Sequence, residues 1–439
     1  MAKIHPEDLK AGRDALMAGG GGAGDLALVL TNGAGALVWD NNGNEYIDCT
    51  SQAWSLNTGY CHPRVVAAAT EQIQKLTHVR SCFDTEPQLM LSKKLSELAP
   101  GIGNTKLRKV TYCLHGSLAV EGAMKLALRN RVGGKNFISL YDGYHGRSFA
   151  TMAVSWPHPN NMFLPYAGNV VRVPQAYCYR CPFSLKYPGC DLECVKFTEQ
   201  TIKKAIDGKP IAFLMEPIQG NGGMIDFPKE YYQAIRKLCT KYDILLIWDE
   251  IQTAFGRIGE MFAAELYKTV PDIIVFGKSI GGGFPLAGTL SRDDLQPFES
   301  GEHAFTFGHF PVSMAAALAN LKAIEEENLL RRARKLGQYI TTRLDELKQK
   351  YELIGDVRGP GLMIGFELVK DRKTKEPACQ EVEVFIKEGM KRGVIFGGSK
   401  YGGLGNVVKI KPPLVITEGE VEKVLKTVKE ITEKISNGR

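Results

Sequence analysis

Between Lys109 and Lys278 short apolar runs alternate with amphipathic segments, and this alternation restricts the fold more than any other feature of the chain. "KVTYCLHG" reads as a strand closing in a small-residue turn, "SLAVEGAMKLALRN" as an amphipathic helix and "NFISLYDGYHG" as a further strand. "IAFLMEPI", "ILLIWDE" and "DIIVFGK" read as strands, and "YYQAIRKLCTKYD" reads as a helix. Apolar strands of this kind, separated by helices, predict an α/β fold: a large domain with a mostly parallel, seven-stranded-type sheet covered on both faces. Ligands of such sheets bind beyond the carboxyl ends of the strands. The chemically able residues fall there: Gly116 and Ser117, Asp142 to His145, Glu216, Asp249 and Lys278.

The flanking segments have another texture. The Gly-rich "MAGGGGAGDLALVLTNGAGA" predicts a mobile segment within residues 1–35. "ALVWDNNGNEYIDC" reads as a β-hairpin, and a helix begins near His62. After about residue 310 comes a long helical region broken once. "IGDVRGPGLMIGFELV" then reads as a turn and a strand, "GVIFGG" and "VVKIKPPLVI" as further strands, and a helix closes the chain. The C-terminal third, joined by the N-terminal hairpin, is expected to build a smaller α+β domain. The expected division is 1–60 as the N-terminal segment of the small domain, 61–325 as the large domain and 326–439 as its C-terminal part.

Composition excludes several roles. The chain has 439 residues and a formal net charge of +7, with no basic block interleaved with aromatics, so no nucleic-acid partner is expected. No apolar run reaches the ~18 residues of a membrane span. The N-terminus "MAKIHPEDLKAGRD" lacks the apolar core of a signal peptide, which predicts a cytoplasmic protein. Of ten cysteines, the six scattered ones, Cys49, Cys61, Cys82, Cys113, Cys239 and Cys379, are expected as free thiols in a reducing compartment. Cys178, Cys181, Cys190 and Cys194 have metal-ligand spacing, C-x2-C…C-x3-C. A surface insertion with incidental thiols is the alternative, and no metal is assigned to the chemistry.

Two strand ends carry the strongest chemical signal. In "LLIWDE" four apolar residues run into Asp249, and in "DIIVFGKSIGGG" an apolar run meets Lys278 and then three glycines. A strand-end acid often caps a helix, and a lysine often lays its stem on a sheet with its head in water. The glycines favour another reading, since they let something flat approach the backbone. A partly desolvated lysine has a lowered pKa and becomes an amine nucleophile. A carboxylate on a neighbouring strand end can pair with a protonated ring nitrogen, and the two together are what pyridoxal 5'-phosphate requires. Gly116 and Ser117, at a strand-to-helix turn, offer backbone N–H groups to a phosphate. Tyr144 and His145 in "YDGYHGR" offer a lid.

"LLIWDEIQTAFGRIG…PDIIVFGKSIGGGFPLAG" resembles the signature of the class III pyridoxal-phosphate-dependent aminotransferases, of fold type I, and the resemblance runs from about residue 30 to the C-terminus. It implies that Lys278 is the imine lysine and proton shuttle and that Asp249 pairs with the pyridine nitrogen. It implies Ile251 and Tyr144 on the two ring faces, Gln252 at the ring hydroxyl, and Gly116 and Ser117 at the phosphate. Thr306 resembles the threonine that reaches the phosphate of the neighbouring subunit, and Glu216 resembles a family acid near substrate and cofactor. Trp54, Arg147 and Lys409 are the candidate substrate-binding residues. A homodimer or a dimer of dimers with its sites at the interface is implied. The implied reaction moves an amino group from an amine or amino acid, ω-amino compounds included, to a keto acid.

The chain departs from the family at "HGSLA", at "TFGHFP" and at Lys409 in "VVKIKPPL", where many users of α-keto acids carry arginine. Arginine grips a carboxylate with two parallel bonds, whereas lysine offers a point charge. The "KIKPP" form is similar to that of a phospho-lyase branch. Elimination from a small phosphate- or phosphonate-bearing amine therefore stays open, as do decarboxylation and racemisation on the same scaffold.

Overall fold

A computed structural model of the chain describes residues 7, 10–12, 15, 28–102, 105–156, 169–399 and 403–438. Strands β1 (Leu30–Ala34), β2 (Leu37–Asp40) and β3 (Glu45–Asp48) form an antiparallel meander. The expected hairpin is β2–β3. The Gly-rich segment of the sequence falls mostly outside the described residues, but its last part is strand β1, paired to β2.

The large sheet holds β4 (Lys109–Cys113), β5 (Asn136–Leu140), β6 (Val170–Val173), β7 (Pro210–Met215), β8 (Leu245–Asp249), β9 (Ile273–Phe276) and β10 (Ala287–Ser291). Their order is β4-β10-β9-β8-β7-β5-β6, and only β10 runs against its neighbours. Five of the seven were expected, and β6 and β10 were not. Every residue of β7, β8 and β9 is buried. Helices cover the sheet, among them Gly116–Asn130 and Lys229–Lys241. Each fully buried Ile, Leu, Val or Phe side chain there contributes about 1.5–3 kcal/mol of transfer free energy.

A second sheet orders β11 (Ile354–Arg358), β12 (Ile364–Leu368), β15 (Val407–Ile410) and β14 (Gly397–Gly398), while β13 (Val394–Ile395) pairs with β3 in parallel. "IGDVRGPGLMIGFELV" is thus two antiparallel strands rather than one. The N-terminal meander and the C-terminal third share a sheet through β3 and β13, as expected. The long helical region breaks at Glu327–Asn328, where Asn328 takes φ +54° between helices Pro311–Glu326 and Leu329–Lys350.

Candidate active site

Asp249 and Lys278 lie at the carboxyl ends of adjacent parallel strands, with Asp249 of β8 in register with Val275 of β9. Asp249 is 4% exposed. Its Oδ1 accepts from the Ile251 N–H at 3.2 Å, and its Oδ2 lies 2.8 Å from His145 Nδ1. The His145 side chain is fully buried, and its Nε2 has no hydrogen-bond partner among the described residues. The sequence placed His145 only in a lid. Its contact with Asp249 depends on the strand order β5-β7-β8, which sequence spacing does not encode.

Lys278 follows β9 in a left-handed conformation, φ +50°. Burial pulls its amine down to about 8, against the attraction of Asp249 and Glu216. The glycines that follow do not open space for a flat ring, as the sequence suggested. Gly282 and Gly283 take φ +57° and +104° and close against Asn320, Val65 and Leu56. They make the turn that returns the chain to β10.

The opposite wall is the start of helix Gly116–Asn130. A Cβ on Gly116 would stand 2.8 Å from Ile251 Cδ1, so a larger residue there must push that side chain aside. Ser117 Oγ accepts from the Arg147 N–H at 3.1 Å. Gly146, at φ +131°, lies so close that a Cβ there would be 2.3 Å from the same Oγ. His115 caps the helix, its Nδ1 accepting from the Leu118 N–H at 3.5 Å, which gives one departure from the family pattern a structural role. Gln252 is buried, and its Oε1 has no partner among the described residues. A Cβ on Gly220 would fall 1.9 Å from that atom, so the facing backbone is cleared for it.

Glu216 is buried after β7, accepting from the Tyr144 N–H at 2.9 Å and the Gly220 N–H at 3.1 Å. Burial pushes its carboxyl up to about 7. Tyr144 is half-buried, with the Arg147 guanidinium 5.5 Å from its ring centre. Trp54 gathers three amines: Lys278, Lys409 and Lys411 have Nζ 5.3, 5.7 and 3.6 Å from its ring centre. Lys409 faces Gly365 and Gly397 across the sheet, so no cross-strand side chain crowds its stem. Burial pulls its amine down to about 7, with Arg358 and Lys278 adding repulsion against the pull of Glu216. Sequence reasoning missed Lys411, which is buried behind Trp54.

Of the expected residues, Thr306 stands apart: it is exposed on the turn before helix Pro311–Glu326. The cluster Cys178, Cys181, Cys190 and Cys194 lines one small surface pocket. Among the described residues no three His, Cys, Asp or Glu are placed to hold a metal ion, and no helix is long and apolar enough to cross a membrane.

These groups fit pyridoxal phosphate. A half-buried amine stands near a buried acid, a glycine-cleared helix start suits a phosphate, and the unpaired Gln252 Oε1 suits a hydroxyl donor. The chain matches the family described as Aminotransferase class-III over residues 20–432. It is 36% identical over 420 residues to the leucine/methionine racemase of Thermococcus litoralis, covering 94% of this chain and 92% of that protein. It is 35% identical over 416 residues to the 5-aminovalerate aminotransferase DavT of Pseudomonas putida, covering 93% and 94%. The solved structure of a Bacillus anthracis aminotransferase superposes with a TM-score of 0.90 at 31% identity, covering 98% of each chain. With the strand-end pair of Lys278 and Asp249 and a match across nearly its whole length, the chain belongs to the class III aminotransferases, pyridoxal-phosphate-dependent transaminases of fold type I.

Proposed function

We propose that this transaminase takes its amino group from an amine or amino acid, ω-amino acids included, and gives it to a keto acid, with Lys278 as its working amine. The observation that carries the reading is the half-buried, partly desolvated Lys278 amine beside the buried Asp249 on the adjoining strand end. Bound pyridoxal phosphate supplies the carbonyl that receives the amino group and a ring that takes up charge. Lys278, with its amine near 8, takes a proton from substrate and returns it at neutral pH. Asp249, in contact with His145 Nδ1, would keep a proton on the ring nitrogen. Gly116 and Ser117 would hold the phosphate, Gln252 would accept from the ring hydroxyl, and Ile251 and Tyr144 would line the ring's pocket. Glu216 anchors the Tyr144 loop by its backbone N–H. Trp54 walls the substrate space, and Lys409 and Arg147 attract a substrate carboxylate.

The same reading makes the protein a cytoplasmic homodimer or dimer of dimers divided at residues 1–60, 61–325 and 326–439. Ten unpaired thiols suit a reducing compartment. Exposed Val66, Ile73, Leu89, Met90 and Phe307 suit a covered face, with Phe307 next to Thr306, the residue assigned to the partner's phosphate.

A screen of amine donors with and without pyruvate or 2-oxoglutarate tests this. The expected result is carbonyl product only with a keto acid, and none from Lys278→Ala. A second reading is favoured by the Thermococcus litoralis relative, a leucine/methionine racemase. Loss of optical activity in an amino acid without any keto acid would establish it. Release of ammonia or phosphate without a keto acid would overturn both in favour of elimination.

A further inference from the structure

Ser51–Trp54 make one turn of left-handed helix. Their φ values are +46°, +45°, +58° and +68°, and none of the four is glycine. In L-residues this conformation crowds Cβ against the backbone at every position. A run of four persists only where its surroundings impose it.

Three buried charged groups surround the turn. The fully buried Asp48 accepts from the Thr50 N–H at 2.7 Å, the Gln52 N–H at 3.2 Å and the Tyr60 hydroxyl at 2.7 Å. Lys411 donates from Nζ to the Thr50 carbonyl at 2.8 Å, the same oxygen that receives the Trp54 N–H at 3.1 Å. That amine also lies against the Trp54 ring. The Lys411 backbone accepts from Ser51 Oγ at 2.7 Å and donates to the Cys49 carbonyl at 3.0 Å. Arg257 is fully buried and donates to Ser51 Oγ at 3.0 Å, Asn57 Oδ1 at 2.6 Å and the Leu362 and Pro412 carbonyls. Among the described residues no carboxylate ion-pairs with this guanidinium. A buried cation with no carboxylate in contact is an expensive fastener, and this one, drawn only by the field of Asp48, joins the 51–57 segment to the chain just past β15.

We propose that Asp48, Arg257 and Lys411 form a latch that holds this turn and thereby sets Trp54 as the wall of the substrate space, which makes Lys411 and Arg257 positioning residues. The latch rests on the transaminase reading only in giving Trp54 a substrate to face. It brings together segments some 360 residues apart in sequence.

The test uses the holoenzyme, with Lys411→Met alone and combined with Ala53→Gly. Glycine at 53 removes the Cβ that opposes φ +58°, so the turn holds with a weaker latch. Lys411→Met is expected to raise KM roughly tenfold while kcat falls less than about threefold, because the wall moves and the reacting amine stays. The Trp54 share of indole emission, found by difference from Trp54→Phe, should become several-fold more accessible to acrylamide, and Ala53→Gly should restore most of both effects. Unchanged KM and quenching in Lys411→Met would overturn the latch. A raised KM that Ala53→Gly leaves untouched would overturn it too, making Lys411 a direct substrate contact. If Lys411→Met does not accumulate, Ser51→Ala removes the hydroxyl shared by Arg257 and Lys411 and is read the same way. Quenching needs no turnover, so failure of the transaminase reading leaves this measurement intact.

Discussion

The Lys278 amine sets a rate that is open to direct measurement. In cofactor-free protein its value near 8 stands well below the 10.5 of an ordinary lysine, and burial is the main cause. At pH 7.5 about a quarter of Lys278 would be neutral, against about 0.1% of an exposed lysine, a gain of roughly 200-fold in usable amine. The neutral fraction should climb from about 3% at pH 6.5 to about 75% at pH 8.5 and then level off. The assay mixes cofactor-free protein with pyridoxal phosphate, quenches with borohydride at short times and counts the label fixed to Lys278. Initial rates should rise about 25-fold across that interval and flatten above pH 9. Asp249→Asn removes the strongest charge that holds the proton on, so the midpoint should move lower. A rate that keeps rising tenfold per pH unit through pH 9.5 would mean that Lys278 is wet and ordinary. The assigned chemistry would then lose its nucleophile.

Two further outcomes follow from the same geometry. Gly116→Val forces Ile251 aside, since even a Cβ would approach its Cδ1 to 2.8 Å; overpacking of about 1–3 kcal/mol should weaken pyridoxal phosphate binding about ten- to a hundredfold in a titration, and unchanged affinity would refute the cradle. Lys409 has its amine near 7 when folded and 10.5 as the reference. The unfolded chain therefore binds more protons between those values, so the contribution of Lys409 to stability rises with pH across that interval and is lost as pH falls to about 7. Below that the full deficit is on the order of 5 kcal/mol. Lys409→Met should melt higher than the parent at pH 6, with the two melting points converging toward pH 10.5. A gap that does not change with pH would show that the amine is not depressed.

The parts of this fold that could be read in the sequence share one physical cause. Strands β7, β8 and β9 are buried on both faces, so they are written as unbroken apolar runs, and a charged residue at the end of such a run stands out. Asp249, Glu216 and Lys278 stand out as candidates for that reason. Strand β10 does not, because "AGTLS" is small rather than apolar. A Cβ on Gly288 would sit 2.0 Å from the Thr111 carbonyl oxygen, so close passage of β4 dictates that composition. Strand β6 escaped because "VVRV" is only partly buried.

The site divides in the same way. Gly116 and Ser117, adjacent at one strand-to-helix turn, could be singled out from local spacing, whereas His145 on Asp249 needs the strand order and Lys411 on Trp54 needs the sheet that joins the two ends of the chain. The turn at Ser51–Trp54 is hidden more deeply. Left-handed backbone is normally announced by glycine or asparagine, and "TSQAW" contains neither. Its conformation is imposed from outside by Asp48, Arg257 and Lys411. A local stretch that contradicts its own propensity marks a place where tertiary contacts override it for a purpose, and here the segment so held carries the indole shared by three lysine amines.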